Sequence, residues 1–259
     1  MKPNSLRAHL QTGQPVIGTM IQEVSSPFIV HVLANAGFDF VYVDLEHGRF
    51  GLESAVGLVQ TIRLTNMVPL VRVPDNQYYW IARLMDAGAQ GVMIPRVETR
   101  QQAELAVQSF RFPPIGQRGL AVARGQNDYK RQDSLAFAQE ANRENLLIVQ
   151  IESKKAVENV DEIISTPGVD VALIGPGDLS LSLGIPMKMD NPLMVSAVEK
   201  VVASCKRHNV IAGLHVGDVQ AIKYWSQNGI LLLSGSSDLD ILLDGSIQLC
   251  KSYKEAVAI

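Results

Sequence analysis

Residues 146–178 read LLIVQIESKKAVENVDEIISTPGVDVALIGPGD. Two unbroken apolar runs, Leu146–Ile151 and Val169–Ile174, flank an amphipathic stretch, Lys154–Ile164. Runs rich in Val, Ile and Leu, with little alternation, suit strands buried on both faces, as in a parallel sheet. The stretch between them has the apolar spacing of a helix, so the unit reads strand–helix–strand with a parallel crossover.

The same rhythm extends in both directions. Upstream lie Val16–Met20, Phe38–Val43, Val68–Val73 and Gly91–Ile94; downstream lie Ile211–Val216 and Ile230–Leu233. Helical patterns alternate with them at Ser26–Asn35, Leu52–Leu64, Gln77–Ala87, Thr99–Phe110, Pro192–His208, Val219–Gln227 and Asp238–Val257. Helix stops are expected at Gly37, Gly88 and Gly229, because glycine takes the left-handed conformation a C-cap needs. Eight units of about 32 residues predict a (β/α)8 TIM barrel, with a doubly wound open sheet as the alternative. The expected organisation is one barrel domain over residues 1–259. It has a long loop at about 111–132, of the kind that is functional or a lid, and a C-terminal helix at about 238–257.

The 259 residues are 47% hydrophobic and 19% charged, with a formal net charge of −3. That composition argues against disorder and gives no basic patch for nucleic acid. Cys205 and Cys250 are too few for a disulfide framework and read as reduced thiols. No apolar run is long enough to span a membrane, and Met1–Gln14 lacks a secretory apolar stretch. The expectation is a soluble cytoplasmic protein that engages neither nucleic acid nor membrane.

Barrel sites lie where strands end, and here those positions gather polar and ionisable residues: Asp44, Glu46, His47, Arg72, Arg96, Gln150, Glu152, Asp178, His215, Asp218, Ser234 and Asp238. Glu152 and Asp178 follow neighbouring strands and could share a hard cation, Mg2+ or Mn2+ rather than structural Zn2+, with positions left for water and substrate. Read singly, Glu152 is a surface residue in a first helical turn, and Asp178 is an N-cap or first-turn residue of a helix at Leu179–Leu183. Gly175-Pro-Gly-Asp178 opens that helix, and Gly177 allows close approach by an anion such as a substrate carboxylate. Arg72 interrupts a buried strand and must be paired; its planar fork suits an enolate or carboxylate oxygen, with a structural salt bridge as the alternative. Asp44-x-x-His47 suggests a carboxylate that orients an imidazole general base. His9, His31 and His208 read as surface residues, whereas His215, inside a strand, could line the pocket. No strand carries a lysine, and Lys154 and Lys155 are expected in solvent, so a Schiff-base route is disfavoured.

Taken in order, Ala36–His47, Pro69–Pro74, Phe112–Gly119, Val149–Glu152 and Ile174–Ser180 resemble the HpcH/HpaI family of metal-dependent pyruvate aldolases. The likeness covers nearly the whole chain. It implies a (β/α)8 barrel that cleaves a 4-hydroxy-2-oxo acid to pyruvate and an aldehyde, with Mg2+ or Mn2+ (or Co2+) as cofactor. It also implies that Glu152 and Asp178 hold the metal and that Arg72 contacts the enolate oxygen. His47, supported by Asp44, would move protons, Gln150 would order the metal shell, and the N–H groups of Gly177 and Asp178 would bind the pyruvate carboxylate. The implied assembly is a homo-oligomer, a hexamer, with C-terminal helices exchanged between paired subunits. Arg96, Gly177 and Tyr129 depart from the common family pattern and leave the aldehyde open. Two other functions compete: the same enolate with another partner, as in acyl-CoA lyases or decarboxylating synthases, and a non-catalytic ligand-binding barrel. The last would lack a catalytic group, and none is missing.

Overall fold

A computed structural model describes residues 2–257. Eight parallel strands close a barrel in chain order. They are β1 (Val16–Ile21), β2 (Phe40–Asp44), β3 (Val68–Arg72), β4 (Gly91–Ile94), β5 (Leu146–Ile151), β6 (Val171–Ile174), β7 (Ile211–His215) and β8 (Ile230–Ser237). β8 pairs with β1, for example Ile17 with Leu233, so the open-sheet alternative does not hold.

The helices are α1 (Ser5–Gln11), α2 (Phe28–Ala36), α3 (Leu52–Ile62), α4 (Tyr78–Ala87), α5 (Arg100–Phe110) and α6 (Ser134–Glu144), then α7 (Lys154–Glu158) and α8 (Val160–Ile164). After them come α9 (Pro176–Ser182), α10 (Pro192–His208), α11 (Val219–Gln227) and α12 (Asp238–Ala256). Gly37 and Gly88 cap α2 and α4 at φ +94° and +114°, the left-handed caps expected from the sequence. Lys154–Ile164 is two short helices that meet at Asn159, rather than one. Two helices were not foreseen. The first, α1, is capped by the Asn4 side chain, which accepts the Arg7 N–H, and it sends Leu6 and Leu10 into the barrel interior. The second is α6.

Strand periodicity sorts the core into two layers. Phe40 and Tyr42, Val68 and Leu70, Leu146 and Ile148, and Val171 and Leu173 fill the barrel interior. Their alternates, such as Val41, Val43, Val71, Leu147, Val149 and Ile174, pack outward against the helices. Continued two residues further, the inward rows reach Asp44, Arg72, Gln150 and Gly175. Two apolar tiers therefore support a polar tier at the carboxyl ends of the strands.

The long loop is not a lid over that tier. Arg111 pairs with Asp170, and buried Arg118 bonds Asp86 of α4 at 2.6 Å while its guanidinium stacks 4.6 Å from the Phe112 ring centroid. Phe112 packs on Phe137 of α6. Packing and buried ion pairs thus hold the segment against the helical layer. Cys205 is buried, Cys250 is exposed, and both are free. Among the described residues no helix is long and apolar enough to cross a membrane.

Candidate active site

A cavity of about 390 Å3 opens on the polar tier. Of the residues singled out in the sequence, His47, Arg72, Gln150, Gly175, Gly177 and Asp178 line it, as do His215 and Asp218. Asp44 and Glu152 stand directly behind that lining. A larger cavity, about 660 Å3, is lined by Arg7, Asp170, Cys205 and Asn209, with α1 at the other end of the barrel. Arg7 and Asp170 there bond one another at 2.9 Å, and that cavity brings together none of the candidate residues.

Arg72 gives Nε to Asp44 Oδ1 at 2.8 Å and Nη2 to Asp44 Oδ2 at 2.5 Å. Its Nη1 lies 3.3 Å from Glu46 Oε2. The two readings of this arginine are therefore compatible: the salt bridge exists, and it orients a fork that also borders the cavity. Asp44 has a different role from the one its spacing suggested. Its carboxylate accepts Arg72, Gln22 Nε2 at 2.7 Å and the backbone N–H groups of Glu46 and His47. It reaches the His47 main chain rather than the ring, because the loop turns tightly after the strand. Burial would raise the Asp44 carboxyl, but the bonds and charge of Arg72, with Gln22 and the Glu46 N–H, hold it below the usual value. The same ion pair outweighs desolvation at Arg72 and raises it.

Glu152 is not the surface residue that its position after a strand suggested; it is only 4% exposed. Burial, reinforced by the charges of Glu46 and Asp178, pushes its carboxyl up to about 7, while the Arg96 N–H opposes the shift. Oε1 accepts that N–H at 2.6 Å, and Oε2 accepts Gln150 Nε2 at 2.6 Å. Arg96 adopts φ +54° there. Its side chain is exposed and touches Pro74 O and Glu46. Gly175 makes a close approach: a Cβ there would lie 2.6 Å from Gln150 Nε2 and 2.8 Å from Glu152 Oε2, so these side-chain ends would have to shift. Asp178 is a first-turn residue, one of the two readings its position allowed, but its helix begins before Leu179 and Asp178 is not the cap. The helix starts at Pro176 with Gly175 as N-cap, and Asp178 sits exposed in its first turn.

The donor set suits a hard cation. Glu152 and Asp178 offer carboxylate oxygens, and Gln150 Oε1 beside them is buried without a hydrogen-bond partner. Among the described residues no group of three or more His, Cys, Asp or Glu could hold a metal, so two carboxylates would need water or substrate oxygens to complete a shell. Lys154 and Lys155 are exposed, as expected. Gln22 was missed in the sequence, and Glu46 and Ser234, though they stand at strand ends, were given no role. Gln22 and Ser234 follow the inward rows of β1 and β8, and period-two counting would have pointed both into the site.

A closed (β/α)8 barrel with titratable groups at the carboxyl ends of its strands has the layout of a barrel enzyme. Residues 20–243 match the HpcH/HpaI aldolase/citrate lyase family, and the chain belongs to that family. Its activity is accordingly that of a carbon–carbon lyase. The chain is 32% identical over 253 residues to 5-keto-4-deoxy-D-glucarate aldolase of Escherichia coli (strain K12), covering 98% of each. A crystal structure of an HpcH/HpaI aldolase from Desulfitobacterium hafniense DCB-2 superposes with a TM-score of 0.92 at 33% identity, covering 96% of both chains. The citrate synthase SbnG superposes with a TM-score of 0.86 at 27% identity, covering 97% of this chain and 98% of the other.

Proposed function

We propose that the enzyme reversibly cleaves a 4-hydroxy-2-oxo acid into pyruvate and an aldehyde, with a divalent cation, Mg2+ or Mn2+ (or Co2+), held by Glu152 and Asp178. One observation carries the reading: Glu152 is a buried carboxylate raised to about 7, beside Asp178 and the unpartnered Gln150 Oε1. Burying a carboxylate among others is costly unless a cation joins them. When bound, such a cation polarises the 2-oxo group and favours the enolate. Gln150 orders the Glu152 carboxylate, and Gly177, with open space around it, leaves room for the substrate carboxylate. Arg72, aligned by Asp44, offers an N–H that Asp44 does not take to the oxygen that becomes negative. His47 takes the 4-hydroxyl proton as the C3–C4 bond breaks; the bond's electron pair stays on C3, which is later protonated to give pyruvate. Counted from its keto-acid end, 5-keto-4-deoxy-D-glucarate is itself a 4-hydroxy-2-oxo acid, so the relative's name supports this reaction type.

The protein is further read as one cytoplasmic barrel domain in a homo-oligomer, a hexamer by family resemblance. α12 supports the association: only Asp238 of it is buried, while Leu239, Ile241, Leu242, Ile247 and Leu249 are exposed. The decisive assay follows pyruvate release from a panel of 4-hydroxy-2-oxo acids. Activity is expected to vanish with chelator and to return with Mg2+, Mn2+ or Co2+, whereas Glu152→Gln needs far more metal or stays inactive. Full activity in metal-free enzyme, with a lysine adduct trapped by borohydride and pyruvate, overturns the mechanism.

A further inference from the structure

β7 ends its inward row at His215, two residues beyond Gly213, and in register on β8 stands Ser234. His215 Nδ1 lies 3.0 Å from Ser234 Oγ, and both residues line the cavity. Nδ1 is thus committed, while Nε2 makes no hydrogen bond within the protein. The rest of the wall mixes apolar side chains, among them Met20, Leu173, Met187, Met189 and Val216, with the polar Gln22 and Asp218. The groups assigned to the pyruvate half, Arg72 and Gln150, come from β3 and β5, whereas His215 and Ser234 come from β7 and β8, with Arg72 near enough for its charge to act on the His215 ring. We propose that His215, held by Ser234, reads a hydroxyl group on the aldehyde half of the substrate, so that the pocket prefers hydroxylated aldehydes to their deoxy counterparts. This inference rests on the aldolase reading above.

The chemistry selects a hydroxyl. Burial, and then the charge of Arg72, push the imidazole down to about 4, so the ring is neutral at working pH and does not attract an anion by charge. If Ser234 donates to Nδ1, Nε2 carries the proton and donates; if Nδ1 donates to Ser234, Nε2 accepts. A hydroxyl answers both tautomers because it donates and accepts, whereas an ionised carboxylate only accepts and a methyl does neither. A deoxy aldehyde would strip water from Nε2 and return no bond, which is the basis of strong discrimination by polar sites.

The experiment measures kcat/KM for addition of pyruvate to D-glyceraldehyde and to propanal, in Mn2+-loaded enzyme. Wild type is expected to prefer glyceraldehyde, and His215→Leu to lower the glyceraldehyde-to-propanal ratio by about 10–100-fold. His215→Gln, which keeps a donor and an acceptor, should recover part of the ratio. Ser234→Ala should lower it less, chiefly by raising the glyceraldehyde KM, as befits a positioning residue. Circular dichroism checks folding; should His215→Leu unfold, the Gln and Ala variants still decide. An unchanged ratio in the folded variants overturns the proposal. Deuterium exchange into the pyruvate methyl group by wild type separates the two levels: no exchange sinks the enolate reading, whereas exchange with an unmoved ratio sinks only the role of His215.

Discussion

Arg72 gives Nε and Nη2 to Asp44, so its fork is oriented before any ligand arrives. Arg72→Lys keeps the charge and loses that geometry; turnover with saturating metal should fall about 10²–10³-fold, and near wild-type turnover would show that charge alone suffices. His47→Asn should slow cleavage about 10²–10⁴-fold with metal affinity unchanged in a titration. Loss of metal in that variant, with activity restored at saturation, would reassign the residue. Glu152 allows a test without substrate. Its folded value of about 7 stands above the ordinary carboxyl value of 4.5, so between these values the folded state holds the proton more tightly than the unfolded state. Its contribution to stability is therefore present below about pH 4.5 and is lost as pH rises through about 7. In chelator, Glu152→Gln should match wild type at pH 4.5 and exceed it at pH 8 by on the order of 3 kcal/mol; an equal Tm at pH 8 would refute the burial argument. At this scale the residue types were readable in the sequence but their partners were not. Asp-x-x-His spacing suits a ring contact and also a turn whose N–H groups bond the aspartate, and only the path after β2 chooses the turn.

The elements were legible where periodicity was strong. β4 and β5 fall on their predicted residues, as do α10 and α11. Lys154–Ile164 divides because the chain reorients at Asn159 to pack α8 against α5 and α10, a demand of the helical layer that an amphipathic pattern does not record. α1 escaped notice because seven residues make a weak pattern, and its value lies in plugging the barrel with Leu6 and Leu10. The junction from β6 to α9 carries its own test. Gly175→Ala would press a methyl group on Gln150 and Glu152. Displacing groups around a metal site typically weakens affinity about 10–100-fold, and calorimetric titration with Mn2+ should read that loss while the circular dichroism spectrum stays unchanged. Unaltered affinity would show that the junction tolerates a side chain and does not shape the site.

The whole molecule presents a barrel whose last helix covers little of its own body. A 19-residue helix exposing Leu242 and Leu249 on one face is expected to find cover in another copy. Leu242→Asp with Leu249→Asp should reduce the solution mass measured by light scattering to that of smaller species, and an unaltered mass would place the interface elsewhere. Read alone, the sequence determined the number and order of the strands, the parallel pairing and the set of ionisable residues at their ends. Strand and helix periodicities are local, and a parallel crossover leaves few arrangements. Only the tertiary structure decided that β8 meets β1, that Asp44 holds Arg72 rather than the His47 ring, that Glu152 is buried, and that Ser234 fixes His215. Each depends on residues far apart in the chain whose rows face one interior, and on how much water that interior excludes, quantities that exist only once the barrel has closed.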